Sequence, residues 1–146
     1  MRVWIDCEFN EFKGDLISMA LVSEDGREWY CVLPCEKPGA WVAQHVMPIL
    51  GKQPIGRAAF SRSLYLWLAH YDAVHVIADW PEDIAHFCQS LITGPGERIN
   101  TPALTMEIRR DLDLIPSAVP HNALHDARAI RASHIGLEIE RAGQRT

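Results

Sequence analysis

Apolar positions in the first third of the chain come in short, nearly continuous runs, whereas later ones recur at helical spacing. Residues 2–9, with Val3-Trp4-Ile5 at their centre, and residues 15–23, with Leu16-Ile17 and Met19 to Val22, read as buried strands. An Asp25-Gly26 pair sits between the second run and a third at residues 28–33, and that spacing predicts a hairpin within a β-meander. Residues 40–50 are a short helix candidate after a Pro34–Gly39 loop. A helix over 57–71 would place Phe60, Leu64, Trp67, Leu68 and Tyr71 on one side. Residues 73–78, Ala-Val-His-Val-Ile-Ala, read as a buried strand. Pro81 then opens a helix to about Leu91, because proline suits a first helical position. Thr93-Gly94-Pro95-Gly96 breaks the chain, residues 102–108 form a further strand, and residues 122–141 form the last helix after Pro120. No repeat or linker interrupts this order. The expectation is one α/β domain over residues 1–146: an antiparallel meander extended by parallel strands, with helices on its faces.

Two polar residues disturb the first apolar run. Asp6 and Glu8 stand two apart, so on a strand they share one face, roughly 7 Å from each other. Unpaired charge inside a sheet is costly, which points to a cleft and a shared cation. Further acids fall where helices begin: Asp79 and Asp83 around Pro81, and Asp126 after Asn122, a natural N-cap. His121 lies just outside that last helix. Carboxylates of this number repel one another unless divalent cations lie between them, and hard oxygen donors suit magnesium or manganese better than zinc. Two such ions serve phosphodiester hydrolysis, one activating water and the other steadying the leaving oxygen, while a histidine at the rim takes a proton.

Composition narrows the setting. The 146 residues are 48% hydrophobic and 23% charged, with a net charge of −5. This balance argues against a broad basic surface for nucleic acid, but metal-binding acids inflate the negative count. Cys7, Cys31, Cys35 and Cys88 lack zinc spacing and read as reduced thiols. No apolar run approaches the roughly 18 residues of a membrane span, and the first residues lack signal-peptide regions. The expected setting is the cytoplasm, with no membrane partner.

Each candidate also has a plainer role. Asp6 and Glu8 alone would fit an exposed edge strand. Asp79 reads equally well as the N-cap of the helix opened by Pro81, and Asp83 as an acid complementing that helix's dipole. His86 and His125 read as exposed, and His134 as a satisfied, half-buried histidine on a stripe with Ala123, Ala127, Ile130 and Leu137. Trp80 fits either a stacking platform for a base or a staple to the core. Trp41, Trp67, Phe60 and Tyr71 are assigned to packing. Arg57, Arg62, Arg109, Arg110, Arg128 and Arg131 read as surface charges, some of them near phosphates.

Together the acidic segments resemble the motifs of the DEDDh 3′–5′ exonucleases, a superfamily that includes oligoribonuclease, RNase T and proofreading subunits. Asp6-Cys7-Glu8 matches the first motif, Asp83 at a helix start the second, and His121 with Asp126 the third. The chain is more similar still to the RNase AS-type, polyadenylate-preferring exoribonucleases. That similarity runs through Asp6-Cys7-Glu8-Phe9, Leu16-Ile17-Ser18, Glu24 to Glu28, Trp41-Val42, His45-Val46 and His121 to Leu124. The resemblance implies an RNase H-like fold and metal-dependent cleavage of single-stranded RNA from the 3′ end by two Mg2+ ions, with Mn2+ as a substitute. It implies Asp6, Glu8, Asp83 and Asp126 as metal ligands, His121 as base, and a homodimer. Cys7, Phe9, Ser18, Asp79 and Trp80 are candidate substrate contacts, Ser18 and the backbone near Cys7 being placed to meet a 2′-hydroxyl. The chain is short for the superfamily, and its second motif departs from the usual wording at Asp79, so Asp79 and Asp83 both stand as ligand candidates. The competing readings are an exonuclease acting on DNA or short oligonucleotides, and an idle nucleic-acid-binding module.

Overall fold

A computed structural model describes residues 1–145. Seven strands, four α-helices and one 3-10 turn alternate in the order β1 Arg2–Phe9, β2 Leu16–Ser23, β3 Glu28–Val32, α1 Ala40–His45, the 3-10 turn Met47–Ile49, α2 Arg57–Leu68, β4 Ala73–Ala78, α3 Pro81–Leu91, β5 Ile92–Gly94, β6 Glu97–Arg98, β7 Ala103–Ile108 and α4 Ala123–Gly143. Five strands make one mixed sheet in the order β3-β2-β1-β4-β7, so the molecule is α/β with an RNase H-like outline. β1 pairs antiparallel with β2 and parallel with β4, and β4 pairs parallel with β7. The expected meander therefore exists, and Gly26 closes its β2–β3 hairpin at φ +87, a conformation glycine adopts without strain.

The sheet is covered on both faces. Val3, Ile5 and Cys7 of β1 join Met19, Leu21, Val74 and Val76 under Phe60, Leu64 and Leu68 of α2 and Phe87 of α3. Trp4 points the other way, onto Ile77, Leu112 and Ile130. Ala20 and Val22 of β2 meet Ala123 and Ala127 of α4, small residues that let helix and sheet approach closely. With both faces covered, β2 is buried along its whole length, which explains its unbroken apolar run.

Several boundaries differ from the expected ones for local reasons. The helix expected over 40–50 splits into α1 and a 3-10 turn, since Pro48 cannot continue an α-helical ladder. The helix expected to reach residue 71 stops at Leu68, and Tyr71 follows in a turn, its amide bonded to the Leu68 carbonyl. The break at 93–96 is itself a small antiparallel hairpin, β5–β6, with Gly96 at φ +70. The last helix runs from Ala123 to Gly143, two residues beyond the expected end. All four cysteines are free thiols. Among the described residues, no helix is long and apolar enough to cross a membrane.

Candidate active site

The acids gather where β1 and β4 end and where α3 and α4 begin. β1 is the point at which the sheet changes from antiparallel to parallel pairing, a place where open α/β sheets leave a crevice beyond the strand ends. Asp6 and Glu8 project from β1, and a register shift between Glu8 and Phe9 re-aims the strand end there. Asp79 follows β4, Asp83 lies in the first turn of α3, and Asp126 lies in the first turn of α4. They line a cleft of about 750 Å³ with Cys7, Phe9, Glu11, Trp41, Val42, Trp80 and His121.

The N-termini of both helices are arranged by identifiable contacts. Asn122 caps α4, its side-chain oxygen accepting from the amides of Leu124 and His125 at 3.1 and 3.3 Å. Its Nδ2 donates to the Ile49 carbonyl at 2.8 Å, tying the helix start to the 3-10 turn. α3 starts at Pro81 with Trp80 as an extended N-cap that makes no side-chain capping bond. Asp79 is therefore not the cap, which corrects that reading; it is half-buried at the cleft. Asp83 is only 2% exposed, and its Oδ1 accepts the Cys7 amide at 3.1 Å.

Two groups of three carboxylates result: Asp6, Glu8 and Asp126, and Asp6, Asp79 and Asp83. Within each group, one oxygen per residue lies within 4.8 Å of the others. Asp6 belongs to both. Asp6 Oδ2, Asp83 Oδ2 and Asp126 Oδ1 are buried without a hydrogen-bond partner. Burial, followed by the charges of Asp83 and Glu8, holds the Asp6 carboxyl well above its ordinary range. Glu8 is pushed up to about 8, by burial first and then by Asp126. Burial and Asp79 raise Asp83 strongly, and burial is the leading cause of the upward shifts of Asp79 and Asp126.

His121 stands at the rim with φ +67, a left-handed backbone that is strained for a non-glycine residue. Its amide donates to Asp126 Oδ2 at 3.0 Å. Its ring meets Trp41 edge to face, the centroids 4.9 Å apart, and Trp41 in turn lies 4.8 Å from His45. Trp41 is 51% exposed and lines the cleft, so its assignment to the packed interior is corrected. Trp80 is likewise no core staple: it is 47% exposed, donates through Nε1 to Glu82 at 3.2 Å, and carries the Arg110 guanidinium 4.6 Å from its ring. Arg110 also donates to the Asp79 carbonyl, which brings one of the six arginines to the site.

Other candidates fall elsewhere. Ser18 sits opposite Glu8 in the β1–β2 register, is fully buried and is not among the residues lining the cleft. Cys7 turns both its amide and its thiol to Asp83, the amide donating to Oδ1 at 3.1 Å and the thiol to the carbonyl at 4.0 Å, and burial with neighbouring acids keeps the thiol protonated. Phe9 lines the cleft and packs on His86 at 5.0 Å. His86 and His125 are half-buried rather than exposed. His134 is buried, its Nδ1 accepting from Trp4 Nε1 at 3.1 Å and its Nε2 facing Arg109. Phe60 and Trp67 are core residues as expected. Arg109 and Arg128 are held by Asp111 and Glu28, and Arg131 by the Ser23 and Glu24 carbonyls. Sequence reasoning missed Glu11 as part of the site, met Val42 only within the family resemblance, and met Arg110, two residues beyond the end of β7, only as one of six surface arginines.

No family model matches the chain. The chain is 46% identical, over 88% of each chain, to 3′-5′ exoribonuclease Rv2179c of Mycobacterium tuberculosis (strain ATCC 25618 / H37Rv). It is equally similar, over the same share, to 3′-5′ exoribonuclease MT2234.1 of strain CDC 1551 / Oshkosh. With this identity over nearly the full length of both sequences, the chain belongs to the family of these 3′-5′ exoribonucleases.

Proposed function

We propose that this chain is a metal-dependent exoribonuclease of the DEDDh type, which removes nucleotides one at a time from the 3′ end of single-stranded RNA and prefers adenylate tails. The observation that supports it is the pair of carboxylate triads sharing Asp6, with three of their oxygens buried and unpartnered. Such oxygens are unfavourable without a donor or cation. An all-carboxylate set fits Mg2+, with Mn2+ as a substitute. Asp6, Glu8 and Asp126 would hold one ion, and Asp6, Asp79 and Asp83 the other. When bound, the ions supply charge neutralisation, a more acidic water and a stabilised leaving oxygen.

The remaining chemistry falls to the chain itself. His121, at the rim beside Asp126, accepts the proton of the attacking water at a ring nitrogen. Trp41 restrains that ring from one side. Phe9 and Trp80 offer aromatic faces along the cleft for an unpaired terminal base, which a base held in a duplex cannot reach. The adenylate preference rests on the family resemblance.

The test is digestion of 3′-labelled and 5′-labelled RNA and DNA oligomers with and without magnesium. A shortening ladder from 5′-labelled RNA, immediate mononucleotide release from 3′-labelled RNA, and silence in EDTA are expected. Asp6→Asn, Glu8→Gln and Asp126→Asn should each abolish cleavage while remaining folded; activity in EDTA or in any of these variants would reject the two-metal reading. Equal rates on matched RNA and DNA would reject ribose selection. Equal rates on A, U and C homopolymers would reject the adenylate preference alone.

A further inference from the structure

A second cavity, of about 670 Å³, lies on the other side of α3 from the acidic cleft. α3 divides the two: Asp83 faces the cleft, while Glu82, Ala85, His86 and Gln89, spaced as one helical stripe, line the second cavity. Phe9 and Leu16 are paired across β1 and β2, and they line the first and second cavity respectively. The boundary is the stacked pair of Phe9 and His86, tilted 31° at 5.0 Å.

Lys13 and Arg57 also line this cavity. Most other arginines of this chain are engaged: Arg2, Arg27, Arg109, Arg128 and Arg141 by carboxylates, Arg110 and Arg131 by backbone carbonyls. Lys13 and Arg57 form no ion pair with a carboxylate among the described residues; each overlies a neighbouring phenylalanine ring, and the Arg57 charge also reaches His86. Asp15 and Glu82 keep the lining neutral overall, so it attracts no anion by bulk field. Two cations without a carboxylate partner and a tilted aromatic pair, adjacent to the acidic cleft across Phe9 and His86, match a flexible chain that alternates phosphates and bases.

We propose that this cavity binds the upstream nucleotides of the substrate: the RNA leaves the acidic cleft over the Phe9–His86 pair, and Arg57 and Lys13 hold phosphates upstream of the scissile bond. The proposal rests on the exoribonuclease reading of the cleft. Shorter substrates fill only the cleft, so affinity should grow with length until the second cavity is occupied and then level off.

The experiment compares wild type, Lys13→Gln, Arg57→Gln and the double variant on three substrates: a p-nitrophenyl ester of a nucleoside 5′-phosphate, a diribonucleotide and an eight-residue oligoribonucleotide. Both positions are exposed, so folding is retained, and melting temperature checks it. On the octamer each substitution should raise KM roughly 2- to 5-fold, and the slope of log KM against log salt should fall by about 0.7 per cation removed. The nitrophenyl ester should be hydrolysed at wild-type rate by all variants. Binding of fluorescein-labelled octamer, followed by anisotropy in EDTA, should weaken in the same order. An unchanged KM and unchanged binding of the octamer in the double variant would overturn the proposal. Equal losses on the nitrophenyl ester would overturn it too, by placing both residues at the cleft. Absence of hydrolysis by the wild type would instead reject the reading of the acids, and the anisotropy series would still decide this one.

Discussion

Trp41 and His121 touch at the mouth of the cleft, and their contact shows what a single side chain contributes here. His121→Ala should keep the acids in place yet lose roughly 10²–10⁴-fold in rate, the share expected of a general base. Full rate in that variant, or loss of metal binding measured by calorimetry, would remove its assigned role. Trp41→Ala should lower kcat by about 10-fold, less than loss of the base itself, because the ring it restrains then samples unproductive orientations; Trp41→Phe should restore most of the rate. Unchanged kcat in Trp41→Ala would reduce the contact to packing. The surroundings of Trp41 and Ser18 were not legible in the sequence for the same physical reason. An indole satisfies a core or a cleft wall equally, and a serine on an apolar strand does not reveal whether the next layer is solvent or protein.

The elements carry the acids to their positions, and here the sequence was more informative. Pro81 and Asn122 mark the starts of α3 and α4 because ring geometry and capping chemistry act locally. Asp25-Gly26 marks the hairpin for the same reason. The split of the helix over 40–50 was readable at Pro48. The β5–β6 hairpin and the role of Asp79 were not, since both depend on where the chain is carried after β4. Asn122 does two jobs at one helix end. Asn122→Ala should therefore lower stability by about 1–2 kcal/mol, read from a denaturant midpoint. It should also reduce activity in the surviving folded fraction, because Asp126 and His121 flank the same cap. A variant with normal midpoint but poor rate would show that the tie to Ile49 carries no stability.

For the whole molecule, the crowded acids set how stability follows pH. Asp6, Glu8 and Asp83 hold protons in the folded metal-free protein to higher pH than in the unfolded chain. A raised carboxyl pKa contributes stability that is full below the unfolded value and is lost as pH rises through the folded one. For Glu8 that window runs from its ordinary 4.5 to about 8. In EDTA the melting temperature should therefore fall between pH 5 and pH 8, by at least about 2–4 °C. Saturating Mg2+ should remove the decline, and Glu8→Gln should lessen it. A flat profile in EDTA would show that the acids are hydrated well enough to ionise freely. The family resemblance also implies a homodimer, which light scattering at micromolar concentration would show as twice the chain mass.

Asp6 stands in both triads, and a ligand held in common makes the two positions thermodynamically linked. On the two-metal reading, the first cation to arrive would relieve five mutually repelling carboxylates but also draw electron density from the one that its neighbour must use. Occupancy of the pair should therefore be antagonistic: magnesium binding followed by calorimetry should spread over a broad concentration range with a Hill coefficient below one, while activity, which on this reading needs both ions, should follow the weaker position with a coefficient close to one. Inhibition by an inert trivalent ion would set in after only one equivalent.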